Sequence, residues 1–261
     1  MARPVVALLT DFGVRDHYVG TMKGVVLSVC PEASLVDITH EIAPQDVFGG
    51  ALELAASYRY FPPATVFLVV VDPGVGSTRR PIAAEAGGYH FVAPDNGVLS
   101  GVLQEAPPTL VVELTDRKYA RSTISRTFEG RDRFAPAAGW LARGTELRLL
   151  GPRISNHATL HFPEVEISAD SIRGVVVRID RFGNAITNVD ASVLSRIRAP
   201  RAVRVSSEPA IAVVDTYADV PAGEPCALVG SSGYLEVAVN GGSAAARLTL
   251  ARGDAVTVLP L

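Results

Sequence analysis

Asp72 closes an unbroken apolar run, "TVFLVVVD", and Pro73-Gly74 follow it at once. Arg79 and Arg80 come seven and eight residues later, across the turn "PGVGST". A carboxylate at a strand end can accept a proton or a substrate hydroxyl. A guanidinium folded back onto it adds a fixed positive charge and forked donors. Asp11 ends a second apolar run, "VVALLTD", and Asp95-Asn96 follow a third, "FVAP". Open α/β sheets collect ligands at the carboxyl ends of their strands. An Asp before Pro-Gly is also an ordinary turn former, so each position alone has a structural reading. Their joint placement favours a cleft lined by carboxylates and arginines for a small polar ligand. The stretch "TFEGRDRFAP" (127–136) adds Glu129, Arg131, Asp132 and Arg133 within five positions, directly before an apolar helical pattern. Such bunching is either a solvated helix cap or part of the site.

The elements that must hold these residues alternate through the first half. "VVALLTD" (5–11), "SLVDIT" (34–39) and "TVFLVVVD" (65–72) read as strands. The last is β-branched and continuous, the pattern of a strand buried on both faces. "HYVGTMKGVVLSVC" (17–30) and "DVFGGALELAASYRYF" (46–61) carry apolar residues at helical spacing, and Pro62-Pro63 stops the second. Strands at "IAAEA", "YHFVAP" and "TLVVEL" and a helix at "NGVLSGVLQEA" continue the rhythm. It predicts a layered, mostly parallel α/β sheet. Beyond residue 152 the chain turns irregular and polar, then breaks into short β-type segments from "GVVVRID" to "AVTVL", including "AARLTL". Turns rich in Gly, Pro and Asn separate them, which predicts a small all-β barrel or sandwich. The fold class read from sequence is α/β: an N-terminal α/β domain over 1–155 and a smaller C-terminal barrel-like β domain over 172–261.

Composition excludes several functions. The 261 residues are 48% hydrophobic, enough to bury a substantial core. Lys+Arg number 24 against 27 Asp+Glu, and that balance lacks the basic excess that nucleic acid binding requires. No apolar run reaches the roughly 20 residues of a membrane span. The start, "MARPVVALLTDFG", lacks a signal-peptide pattern, so a cytoplasmic location is expected. Cys30 and Cys226 form neither a disulfide framework nor a metal cluster. The five histidines show no metal-ligand spacing; His157 and His161 lie in the irregular linker. "GVGSTRR" matches neither a P-loop nor a dinucleotide fingerprint, and no G-x-S-x-G elbow occurs.

Seven motifs in one order extend the reading: "LLTDFGVRDHYVGTMKGV", "DITHEIAPQDV", "FPPATVFLVVVDPGVGSTRR", "FVAPDNGVL", "TFEGRDRFAP", "IDRFGNAITN" and "SSGYLEVAVNGGSAA". Together they span nearly the whole chain. By these motifs the chain resembles the adenosine-forming S-adenosyl-L-methionine (SAM) hydrolases, or SAM hydroxide adenosyltransferases, relatives of fluorinase and chlorinase. The resemblance implies attack of water or hydroxide at ribose C5′, with methionine leaving and adenosine forming. The sulfonium is already a good leaving group, so no metal or cofactor is implied. The task becomes one of positioning and water exclusion. The resemblance also implies a homotrimer with active sites between the N-terminal domain of one subunit and the β domain of the next.

Residue by residue, Asp72 and Arg79 match the family's catalytic Asp and Arg. Asp11 matches the carboxylate that accepts the ribose hydroxyls, and Phe128 an aromatic lining the ribose pocket. Asp16, Asp180 and Ser231 match positions around the methionine amino and carboxyl groups. Asn184 and the backbone at Asn240-Gly241 match the adenine edge. Two of these retain bland readings, Asn184 as a hairpin turn residue and Phe128 as core. The family's third catalytic residue is a histidine, and here that position is Glu129. A carboxylate can hold water or accept a proton, but Asp72 and Glu129 placed together repel, a conflict that protonating one of them would relieve. Arg131 and Asp132 are expected to brace the loop. Fluorinases carry Tyr, Thr and Ser where this chain has Asp72, Val75 and Gly130. Two carboxylates oppose a halide site, which ranks hydrolysis above halogenation. A non-catalytic binder of SAM or adenosine is the other class left open by the change at Glu129.

Overall fold

The computed structural model describes residues 3–198, 201–205 and 209–261. They form two compact units, Met1–Leu160 and His161–Leu261. The first contains β1 (Val5–Thr10), α1 (Tyr18–Val29), β2 (Ser34–Thr39), α2 (Val47–Ser57), β3 (Val66–Val70), β4 (Pro81–Ala86), β5 (Tyr89–Pro94), α3 (Ser100–Glu105), β6 (Leu110–Glu113) and α4 (Ala135–Ala142). Its sheet runs β2-β1-β3-β5-β4-β6. The first four strands in that order are parallel, and β4 pairs antiparallel with both neighbours.

Period-two side-chain alternation divides each central strand between two cores. Val66, Leu68 and Val70 of β3 join Met22, Val25 and Val26 of α1 and Ala138 and Leu141 of α4. Phe67 and Val69 join Leu54 of α2 and Val102 and Leu103 of α3. Both faces are therefore covered, which is why β3 reads as an uninterrupted apolar run. Its C-terminal end is then the first place where the chain can present a polar group, and Asp72 stands there.

The entry into α4 differs from the sequence expectation. The helix does not begin cleanly at "FAP"; a π-turn over Gly130–Phe134 precedes α4. Pro136 has no amide hydrogen, so the carbonyl of Asp132 loses its helical donor. The Arg121 backbone N–H takes that carbonyl instead, at 2.9 Å. The Asp132 side chain is fully buried and completes the brace. Its carboxylate accepts from Arg131 Nε at 2.7 Å, Arg131 Nη2 at 2.8 Å and the Ser125 backbone N–H at 2.8 Å. The expected bracing role of Arg131 and Asp132 thus has a geometric form: it ties the 121–129 loop to the start of the helix.

The second unit comprises β7 (Glu166–Ile167), β8 (Ile172–Ile179), β9 (Ala185–Asp190), α5 (Ala191–Leu194), β10 (Arg201–Val205), β11 (Ile211–Ala212), β12 (Pro225–Val229), β13 (Tyr234–Val239), α6 (Ala244–Arg247) and β14 (Ala255–Pro260). Its antiparallel sheet runs β11-β10-β14-β8-β9-β13-β12, with β7 beside β8. A bridge between Val213 and Ala227 nearly closes it into a barrel around Ile172, Val176, Val203, Leu235, Val237 and Val256. The stretch "AARLTL", expected as a strand, instead begins with the helical turn α6. Ser243 caps it by accepting the Ala246 N–H, and three alanines favour the helix.

Replacing Asp132 with Asn should cost about 1–3 kcal/mol at neutral pH, the penalty for a damaged buried network. Burial opposes the Asp132 charge, but Arg131, the Ser125 N–H and Arg121 hold its carboxyl below the ordinary range. Its stabilisation is therefore present above the unfolded-state value and lost as pH falls through the depressed one. Denaturant melts should show the parent–variant gap narrowing in acid; a gap constant with pH contradicts this assignment.

Candidate active site

The loop after β3 folds back on itself. The Val75 N–H donates to the Asp72 carbonyl, and Ser77 Oγ donates to the Gly74 carbonyl at 2.6 Å while accepting the Arg79 N–H. This returns Arg79 to Asp72 as a fork: Nε donates to Oδ1 at 2.9 Å and Nη2 to Oδ2 at 2.5 Å. Gly76 permits the fold by adopting φ +77°, and a Cβ there would lie 2.5 Å from the Arg126 carbonyl oxygen. Arg80 departs in another direction. It binds Asp95 and Asn156, and Asp95 also accepts the Ala158 N–H, so that pair ties down residues 156–158. Asn96 donates to the Val71 carbonyl. The third strand end therefore serves structure.

Glu129 meets the same guanidinium. Its Oε2 lies 2.6 Å from Arg79 Nη2, and its Oε1 accepts from Arg133 Nε at 3.1 Å. Arg79 stands between the two carboxylates, and Arg133 takes the far oxygen of the second. The repulsion expected from the pairing of Asp72 and Glu129 is thus offset by two cations facing two anions. The three central side chains are mostly buried: Asp72 is 5% exposed, Arg79 9% and Glu129 14%. Arg79 also lies 5.2 Å from the Phe134 ring centroid. Burial works against its charge, but hydrogen bonds to Asp72 and the charges of Asp72 and Glu129 raise its basicity further. The charged stretch before α4 is therefore divided, with Asp132 bracing the loop and Glu129 in the cluster.

Asp11 follows β1, adjacent to β3 in the sheet, and feels the charge of Asp72. Its Oδ2 accepts the Gln45 backbone N–H at 2.7 Å. Gln45 adopts φ +67°, a left-handed conformation that costs a non-glycine residue energy and often marks a functional loop. Phe128 packs at the core margin against Phe12 and Tyr18. Asp16 is exposed in the loop before α1. Among the described residues, no cluster of three or more His, Cys, Asp or Glu side chains is arranged to hold a metal ion.

The second unit carries its own cleft of about 450 Å³, within the range for a small molecule. Phe182, Asn184, Tyr217, Val239, Gly241 and Gly242 line it. Asp180 orients Asn184, accepting its backbone N–H at 2.8 Å and its side-chain Nδ2 at 2.9 Å. The Asn184 Oδ1 is then the acceptor left for a ligand. Asn240 does not line the cleft with its side chain, because Nδ2 donates to the Val220 carbonyl at 2.8 Å. Ser231 lies in the turn at the opposite end of β13 from Gly241. Sequence reading missed Gln45, Phe182 and Tyr217, and named Arg133 in the charged stretch without giving it a role. Only Arg133 left a signal, its i,i+4 spacing from Glu129.

Comparison with known proteins finds matches across both units. The SAM hydroxide adenosyltransferase N-terminal domain family matches residues 6–151, and the corresponding C-terminal domain family matches residues 174–257. An (R)-S-adenosyl-L-methionine hydrolase of Salinispora tropica is 40% identical over 98% of this chain and 97% of that protein. A fluorinase of Nocardia brasiliensis is 30% identical over 98% of this chain and 97% of its own length. The crystal structure of an uncharacterized conserved protein from Thermotoga maritima superposes with a TM-score of 0.93 at 36% identity, covering 97% of this chain and 99% of that one. With both family domains in sequence order and such identity across nearly its full length, the chain belongs to the SAM hydroxide adenosyltransferase family.

Proposed function

We propose that this protein hydrolyses S-adenosyl-L-methionine to adenosine and L-methionine by in-line attack of water at ribose C5′. The observation that carries the reading is the buried Asp72–Arg79–Glu129 cluster at a strand end of a chain 40% identical to a named SAM hydrolase. In this reading Asp72 and Glu129, aligned by Arg79, hold the attacking water, and Glu129 accepts its proton as the C5′–O bond forms and the C5′–S bond breaks. Departure of neutral methionine from the sulfonium needs no acid, so catalysis rests on orientation and exclusion of bulk water. Asp11 accepts the ribose 2′ and 3′ hydroxyls beside Phe128. Asp16, Asp180 and Ser231 serve the methionine end, and Asn184 with the Asn240-Gly241 backbone serves the adenine edge.

Halide transfer is disfavoured, because a desolvated halide beside two carboxylates lacks compensation. A non-catalytic binder has no evident need for a buried forked Asp72–Arg79 pair. We also assign a cytoplasmic homotrimer whose active sites join the first unit of one subunit to the second unit of the next. Light scattering should read three times the 27.5 kDa chain mass; a monomer at assay concentration would sink that assignment.

Incubation with S-adenosyl-L-methionine followed by chromatography should yield adenosine and methionine in equal amounts, whereas unchanged substrate rejects the reading. Glu129→Gln should lower kcat about 10²-fold or more, the scale of a lost acid–base group; parental activity would exclude a basic role. Arg133→Met should lower kcat in the parent and add little when combined with Glu129→Gln, because its carboxylate partner is then gone. Additive losses would show that Arg133 acts independently of Glu129.

Acid pH should weaken substrate binding through Asp11. Burial is the largest influence on its carboxyl and raises it above the ordinary range, against the Gln45 N–H bond. The hydroxyl-accepting anion is therefore lost at a higher pH than for a free aspartate. KM should climb as pH falls through that raised value, and Asp11→Asn should flatten the climb.

A further inference from the structure

Glu236 is a buried carboxyl that the proposed chemistry does not use. It is 5% exposed, yet it points away from the barrel core, since Leu235 and Val237 on either side of it fill the interior. The strand pairing around it is irregular. The register between β13 and β9 shifts between Tyr234 and Glu236, and that between β8 and β9 shifts between Val176 and Arg178. Both shifts bring Glu236 and Arg178 opposite Ile186, on one outer face of the sheet.

A single turn covers Glu236. The 3₁₀ turn Tyr217–Asp219 is closed by a capping box between Thr216 and Asp219. Asn240 anchors its far end through the Val220 carbonyl. From this turn the Tyr217 hydroxyl donates to Glu236 Oε1. The other carboxyl oxygen rests against Gly230, where a Cβ would lie 2.2 Å from Oε2. The Tyr217 ring, held by that hydroxyl bond, lines the same cleft as Phe182 and Asn184.

We propose that Glu236 is a positioning residue for this cleft: its carboxyl holds the Tyr217 hydroxyl and so fixes the ring as a rigid wall for the bound ligand. The inference rests on the reading of the cleft as part of the SAM site. A buried carboxyl is a costly way to stabilise a sheet face, where an apolar residue of similar volume serves as well or better. The return here is a fixed orientation for one aromatic side chain. The ionisable groups facing the pair are Arg178 from β8, Asp180 just after it and Cys226 from β12, and Asp219 from the covering turn acts on Cys226. Burial and the nearby Glu236 raise the Tyr217 hydroxyl well above its ordinary range.

Three full-length variants separate the possibilities. Glu236→Gln keeps an acceptor for the hydroxyl, Glu236→Leu removes it, and Tyr217→Phe removes the donor. With S-adenosyl-L-methionine as substrate, the Leu and Phe variants should raise KM about tenfold with kcat within about threefold, the scale of one lost charge-assisted hydrogen bond. The Gln variant should stay within about threefold of the parent in both. Unchanged KM in the Leu and Phe variants overturns the proposal, as does an equal fall in kcat. A tyrosinate absorbance titration tests the link without any ligand. A late-titrating tyrosine in the parent should be missing in Tyr217→Phe and should titrate earlier, though still raised by burial, in Glu236→Leu. If Glu236→Leu fails to fold, Tyr217→Phe carries both arms. If the parent releases no adenosine, the substrate reading fails by itself. Adenosine binding measured by calorimetry then replaces KM, and equal affinity in parent and Tyr217→Phe overturns the positioning role.

Discussion

One guanidinium shared by two carboxylates organises the first unit. Arg79 reaches Asp72 through a fork and Glu129 through a single nitrogen. Burying either carboxylate alone would be costly, and burying both side by side more so. The cation between them makes the arrangement tenable, and much of the surrounding structure follows from keeping it in place. The loop after β3 must turn back within seven residues, which requires the left-handed Gly76 against the Arg126 carbonyl. The π-turn that begins just after Glu129 must start beside that loop, and the Asp132 brace holds it there. Arg133 completes the charge balance one turn further on.

The second unit solves a related problem with different means. Its cleft is lined by backbone glycines and two aromatics, with few polar atoms, and the polar atoms it has are held from behind. Asp180 orients Asn184, Asn240 anchors the covering turn, and Glu236 holds Tyr217. Asp180 and Glu236 each hold a residue that lines the cleft, and Asn240 holds the end of the turn that carries Tyr217. Rigid support of this sort lowers the entropy that binding must overcome.

Sequence motifs and structure agree most closely where local chemistry dictates geometry. The apolar run before Asp72, the turn that follows it and the helical periodicity of α1 and α2 are visible in the chain, because period and turn composition are local properties. Ordering the strands is not local. The antiparallel return of β4 between β5 and β6, and the near-closure of the barrel, depend on pairings between distant segments. The stretch "AARLTL" shows the limit in miniature. Its alternation suggests a strand, and the serine cap that makes a helical turn of it is a weaker signal than the apolar pattern.

The same division applies to the site. By itself the sequence determined that carboxylates end the central strands, that arginines follow one of them at turn distance, and that Glu129 opens a charged stretch directly before a helical pattern. Those are statements about residue type and spacing, and they need no coordinates. Only the tertiary structure decided which arginine returns to Asp72, since Arg79 and Arg80 are equivalent in spacing and diverge to Asp72 and Asp95. It also decided that Glu129 joins the cluster while Asp132, three residues on, is buried beneath the loop. The physical reason is burial: a charge hidden from water must find its partner in space, and that partner is chosen by packing between segments far apart in the chain.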